Sequence, residues 1–294
     1  MSFVRPGAVA SAAVAAFALL PTSGMALDTD ADDYVASPPG TNLGLLYYQH
    51  VQRNTFFSTG NQVPGGVGLD SDTGILRVVH FLKLGDYVVD PQFILPFGSE
   101  RAKNDAGSLG SASGLSDLIL AATTWLVNDE KANTYLGITP FLFLPTGTYD
   151  KNRPLNWGEN RWKFTLQSGY QRGITDKFSI VFIGDATVFG HNDEFGPSGA
   201  TLKQDPLYQG QFYLRYTISR TIDTFVGYSY LAGGATTVNG VNQNDRQRET
   251  KFSFGGGYFF TPEIELFGAY GQDITMANGF KESHRMNLRL SKTF

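Results

Sequence analysis

Two-residue alternation of apolar and polar side chains, repeated along most of the chain and joined by links that are alternately short and long, is what most restricts the fold. In residues 283–294, Met286, Leu288, Leu290 and Phe294 fall on one face, with Arg285, Asn287, Arg289, Ser291 and Thr293 on the other. Successive Cβ atoms of an extended strand point to opposite faces, so a period of two marks a strand. Residues 162–170 repeat the pattern, with Trp162, Phe164, Leu166 and Tyr170 set against Lys163, Thr165 and Gln167. Residues 207–218 and 250–260 do the same. Twelve such segments cover 43–57, 75–84, 87–97, 116–126, 134–144, 160–171, 178–190, 207–218, 222–232, 250–260, 264–272 and 283–294. Short links at 85–86, 128–133, 173–177, 219–221 and 261–263 alternate with long ones at 58–74, 98–115, 145–159, 191–206, 233–249 and 273–282.

An even number of strands of roughly ten residues, with short turns at one end and long loops at the other, predicts an all-β fold of a particular kind. It is a closed antiparallel transmembrane β-barrel of twelve strands in a bacterial outer membrane, spanning residues 43–294, its outer face on membrane lipid and both termini at the periplasmic end. A soluble β-sandwich would explain the alternation but not the asymmetry of the loops. Three prolines fit poorly. Pro91, Pro96 and Pro140 fall inside strands, where proline cannot donate to the ladder, so bulges or irregular pairing are expected there. His80 lands on the lipid-facing parity, which puts the register of its strand in question.

Composition removes other classes. There is no cysteine, which excludes disulfide scaffolds and thiolate metal sites. With 23 Lys and Arg against 27 Asp and Glu, the chain has no basic excess, so nucleic acid is not an expected partner. An apolar fraction of 41% with a net charge of −4 is inconsistent with disorder. At the N-terminus, Arg5 precedes an apolar run over 8–20, and Gly24 and Ala26 supply small residues for cleavage. That run is too short for a bilayer-spanning helix, which needs about 20 residues, and predicts a signal peptide over 1–26. Residues 27–42 then form a periplasmic N-terminal segment. Its acidic start, Asp28, Asp30, Asp32 and Asp33, lacks the glycine and glutamate spacing of a calcium loop and is expected to be a solvated tail.

The blocks 114–118 (Gly-Leu-Ser-Asp-Leu), 138–150 with its Pro145-Thr146-Gly147, and 156–162 (Asn-Trp-Gly-Glu-Asn-Arg-Trp) are similar, in order and spacing, to the outer-membrane transporter family named for the meta-pathway of phenol degradation. Ser116 and Thr148 depart from the family's usual residues. The resemblance implies a barrel tied to uptake of aromatic or other hydrophobic compounds. The ending at Phe294 resembles the signal read by the barrel-assembly machinery, with Lys292 as a departure.

If Phe164 and Leu288 face lipid, parity turns Arg161, Lys163, Gln167, Gln211, Arg215, Lys251, Arg285 and Arg289 inward, with Asp117, Asp185 and Glu265. Phe141 and Phe143 share that side, near Asn160. Asp117, Phe141, Phe143, Asn160, Arg161, Lys163, Arg215 and Arg289 are therefore the candidates for a solute path. Charges of both signs in a lumen can select solutes, or can pair and fill it. Aromatic rings beside polar groups suit a small, partly apolar molecule. The expected function is passive admission of small hydrophobic or aromatic compounds. The alternatives are a general or anion-preferring channel for hydrophilic solutes, and an outer-membrane hydrolase. A hydrolase would need a serine activated by one of His50, His80, His191 or His284, and no G-x-S-x-G motif is present. No phosphate-binding G-x-x-x-x-G-K-[ST] motif, cofactor motif or metal-ligand pattern appears either.

Overall fold

The computed structural model describes residues 29–294, and the predicted signal peptide lies outside them. Twelve strands run in chain order around one closed sheet. They are β1 (Asn42–Ser58), β2 (Val67–His80), β3 (Tyr87–Asn104), β4 (Ile119–Asp129), β5 (Thr134–Phe143), β6 (Lys163–Gly173), β7 (Phe178–Phe189), β8 (Leu207–Thr217), β9 (Ile222–Gly233), β10 (Gln247–Thr261), β11 (Ile264–Met276) and β12 (Gly279–Thr293). Every neighbour pair is antiparallel, and β1 closes on β12 from Leu43↔Thr293 to Phe57↔Gly279. Closure leaves no unpaired edge, the condition for strands to cross a membrane. The seam bulges at Arg53, and its far end is bonded both ways between Asn42 and Phe294.

Parity behaves as the alternation requires. Trp162, Phe164, Phe182, Phe254 and Leu288 are exposed on the outer wall, whereas Lys163, Thr165, Gln167, Gln211 and Arg289 are buried within the barrel. His80 is exposed beside Leu76 and Val78 on the outer parity of β2. It closes a 2.9 Å hydrogen bond with Asn42 at the short-turn end, so the strand is in register. Pro140 keeps the β4–β5 register, with Ala121↔Phe141 and Thr124↔Ile138 on either side, but the intervening rungs are missing from the ladder. That is the expected cost of a residue without an N–H. Pro91 and Pro96 sit within continuous ladders.

Several expectations need correction. The second strand runs over Val67–His80 and not 75–84, so the link expected at 58–74 shrinks to 59–66, and the irregular pairing expected at Pro91 and Pro96 is not found. The fourth strand begins at Ile119, not 116, because Leu118 donates its N–H to the Thr146 side chain and leaves the ladder. The upper half of β3 pairs instead with a short strand at Ser111–Leu115. The link expected at 273–282 shrinks to residues 277 and 278, since β11 and β12 extend towards each other. Finally, the acidic N-terminal segment is not a solvated tail. It folds into the lumen.

Candidate functional site

Residues 29–36 enter the barrel from its short-turn end and reach half-way up. Thr29 donates its hydroxyl to Gln167 Oε1 (3.1 Å) and accepts from the Tyr213 hydroxyl at its carbonyl (2.8 Å). Both partners lie on inward-facing strand positions of β6 and β8. Ala31 and Tyr34 are buried against a ring of wall residues that includes Leu45, Trp125, Val181, Phe225 and Phe267. Burial of a side chain as large as that of Tyr34 contributes about 2 kcal/mol, and the Ala31 methyl less than half of that.

Tyr34 is the anchor. Its hydroxyl donates to Gln167 Oε1 at 3.0 Å and lies 3.2 Å from Thr139 Oγ1. Its ring meets Trp125 edge-on at 5.9 Å, and Trp125 Nε1 in turn donates to Asp90 Oδ2 at 3.0 Å. The slot that admits the ring exists because two paired inward positions, Gly137 and Gly169, have no side chain. A Cβ on Gly169 would lie 2.2 Å from the Tyr34 ring, and one on Gly137 would lie 3.1 Å from it.

Two arginines fix the acidic residues. The Arg289 guanidinium donates to Asp30 Oδ2 (2.9 Å), to both oxygens of Asp32 (3.0 and 2.5 Å) and to Glu265 Oε2 (2.7 Å), and lies over the Phe267 ring. Arg77 holds Asp33 Oδ2 at 3.0 Å and the Tyr47 hydroxyl at 3.2 Å. Several carboxylates around one guanidinium cannot all be equally stabilised as anions. Burial pushes the Asp30 carboxyl up to about 7 in spite of Arg289. Burial also acts on Asp32, but Arg289 outweighs it and holds that carboxyl down at about 2.

The eight candidates divide between the two ends. Arg289 and Arg215 lie towards the short turns. Arg215 donates to Gln171 Oε1 at 3.2 Å and faces Asp223 at 3.6 Å. At the long-loop end, Phe141 and Phe143 pack with Ile94, Ile119 and Ala121 on the inner wall. Lys163 lies over the Phe143 ring at 4.4 Å and pairs with Glu159. Asn160 donates to Asn192 Oδ1 at 3.2 Å. Asp117 is buried in the break before β4 and bridges two loops, its oxygens accepting from Gly147 N (2.9 Å) and Glu159 N (3.0 Å). There the chain is so close that a Cβ on Gly147 would come within 2.6 Å of Gly158 Cα. Phe294 is exposed at the seam.

Alternation identified the inward wall but not its occupant. Tyr34, Arg77, Asp90 and Trp125 were missed, and the legible trace of the slot was a pair of inward glycines on adjacent strands. On the outer parity, His50, His80 and His284 bond Asp72, Asn42 and Tyr270 at 2.8, 2.9 and 2.7 Å, respectively.

Comparison with known proteins follows the same lines. The model of the family described as "Putative MetA-pathway of phenol degradation" matches residues 53–290. The chain is similar to the crystal structure of an outer-membrane channel from Pseudomonas putida F1, with 38% identity and a TM-score of 0.88 over 91% of this chain and all of that one. The β domain of the Bordetella autotransporter BrkA (8% identity, TM-score 0.51, 87% of this chain and 100% of that one) shares the fold alone. So does the translocator domain of NalP from Neisseria meningitidis (11% identity, TM-score 0.50, 90% and 91%). No curated protein matches the chain.

Proposed function

Since the chain belongs to the phenol-degradation meta-pathway family of outer-membrane channels, we propose that it passively admits small hydrophobic or aromatic molecules across the outer membrane. The observation that carries this reading is the cavity left between the N-terminal segment and the wall. It brings the rings of Tyr34, Tyr47 and Phe141 and the side chains of Ile75 and Ile94 together with Gln92, Thr139 and Gln167. Asp30, Asp33, Arg77 and Arg285 line it as well, so the solute it suits is small and partly apolar with a polar group of its own. In this reading Phe141 and Phe143 line the path, Asp117, Asn160, Arg161 and Lys163 frame the long-loop mouth, and Arg215 and Arg289 set the short-turn end. Phe294 is the proposed signal for the barrel-assembly machinery.

The polar inner wall favours a second reading, a channel for hydrophilic or anionic solutes. Against it, the guanidinium groups of Arg77 and Arg289 are already committed to carboxylates. Proteoliposomes holding the full chain distinguish the two. Influx of phthalate, an aromatic dianion that crosses lipid poorly, is expected to exceed that of succinate, a dianion without a ring, and that of glucose, and influx of either one matching or exceeding it would overturn the aromatic preference. A hydrolase is the reading supported least, because the outward imidazoles are engaged with Asp72, Asn42 and Tyr270. Ester turnover that vanished in a His→Ala variant would revive it.

A further inference from the structure

A second cavity opens among the long loops, apart from the one beside Tyr34. With a volume of ≈ 160 Å³, it is lined by Tyr149, Lys151, Phe195, Pro197, Leu202 and Arg161, among others. An apolar cavity of about 150 Å³ takes up benzene, so the space suits a single ring.

Arg161 is almost entirely buried at its wall, with one corner left over. Nε donates to Glu159 Oε2 at 3.0 Å, while Nη2 donates to the same oxygen and to Gln204 Oε1, each at 2.6 Å. The Phe189 ring covers the guanidinium at 4.7 Å from its centroid. Nη1 is buried and meets no acceptor. A buried charged donor without a partner is costly, and the acceptor that best relieves it is an anionic oxygen. Glu159 does not serve, because its two oxygens are taken up by Arg161 and Lys163. Lys151, exposed on the rim, adds a second positive charge facing the same space.

We propose that this cavity captures a small organic carboxylate, with Lys151 at the rim and Arg161 Nη1, which is shut off from the cavity in this structure and turns to meet the ligand, holding the carboxylate, and Phe195, Pro197 and Leu202 enclosing its apolar body. The site would then load monocyclic aromatic or short branched acids at the outer mouth. That use rests on the uptake reading above, whereas the binding does not.

Benzoate titrated calorimetrically into the detergent-solubilised full chain tests it, with benzyl alcohol and inorganic phosphate as probes of the two halves of the site. Benzoate is expected to bind at least about tenfold more tightly than either, since the alcohol lacks the charge and phosphate lacks the ring. Arg161→Lys is expected to lose about tenfold in benzoate affinity, because a lysine cannot present the fixed guanidinium corner. Lys151→Gln, on an exposed loop, is expected to weaken benzoate but not benzyl alcohol. Equal affinity for benzyl alcohol or phosphate would overturn the proposal, as would unchanged benzoate affinity in both variants. If Arg161→Lys fails to fold, the Lys151→Gln result and the three-probe ranking decide alone. Benzoate binding without aromatic flux would sink the uptake reading and leave this site standing, and flux without binding would do the reverse.

Discussion

Tyr34 occupies a slot kept open by two glycines, and that makes it sensitive to a single methyl. Gly169→Ala places a Cβ 2.2 Å from the ring with a fixed strand behind it, so the tyrosine must move. Overpacking of this kind costs about 1–3 kcal/mol. The expected result is a barrel that still folds but whose N-terminal segment undocks, seen as faster chymotryptic cleavage at Tyr34. Arg289→Gln removes the cation shared by Asp30, Asp32 and Glu265, and the loss of one member of a buried pair costs on the order of 3 kcal/mol. It should release the segment too. Docking also depends on pH, with opposite signs at two carboxyls. Asp32, held at about 2, stabilises docking above its ordinary value near 3.8 and loses that contribution as pH falls towards 2. Asp30, raised to about 7, favours docking while protonated and opposes it as pH climbs from about 4 to 7. Single-channel conductance is therefore expected to be lowest near pH 4–5 and to rise on either side. A flat profile would refute this account. The sequence exposed the inward parity of Arg289 and Glu265 but not their pairing with Asp30 and Asp32, which precede Arg289 by more than two hundred residues. Contacts so distant in sequence leave no periodic trace.

At the level of elements, the long-loop end is held by side chains doing the work of a ladder. Asp117 accepts the N–H groups of Gly147 and Glu159, and Thr146 takes the N–H of Leu118. Asp117→Asn turns one acceptor into a donor facing an N–H, at a cost of about 1–3 kcal/mol. The loop between β5 and β6 should loosen, and trypsin should cut sooner after the exposed Lys151 while the strands stay protected. Strand positions were largely legible because the outer wall must be apolar at every second residue. The ends were less so. Above the membrane that demand lapses, and β2, β3 and β10 run on past their alternating stretches. The same reasoning explains the last hairpin, where Asp273, Thr275, Lys281 and Glu282 read as loop but lie in the strands.

For the whole molecule, the barrel and its internal segment are separable in principle, since the twelve-strand sheet closes through β1 and β12 without residues 29–36. Deleting 29–36 should leave a folded barrel whose conductance rises several-fold, and unchanged conductance would mean that the segment does not limit the path. Closure, strand count and lumen polarity were all readable from alternation and loop lengths. The filling of the lumen was not, because an acidic stretch reads as solvated until its cations are located. The position of Thr29 also bears on how this protein can be handled. Among the described residues, Thr29 lies inside the lumen and Phe294 in the closing seam, where its carbonyl accepts from Asn42. A fusion partner inserted beside Thr29 or joined to Phe294 would compete with the segment's docking or the barrel's closure. Epitope tags and fluorophores belong instead on the exposed tips at 59–62 or 239–242, away from both cavities, where they would report from the cell surface on a channel left intact.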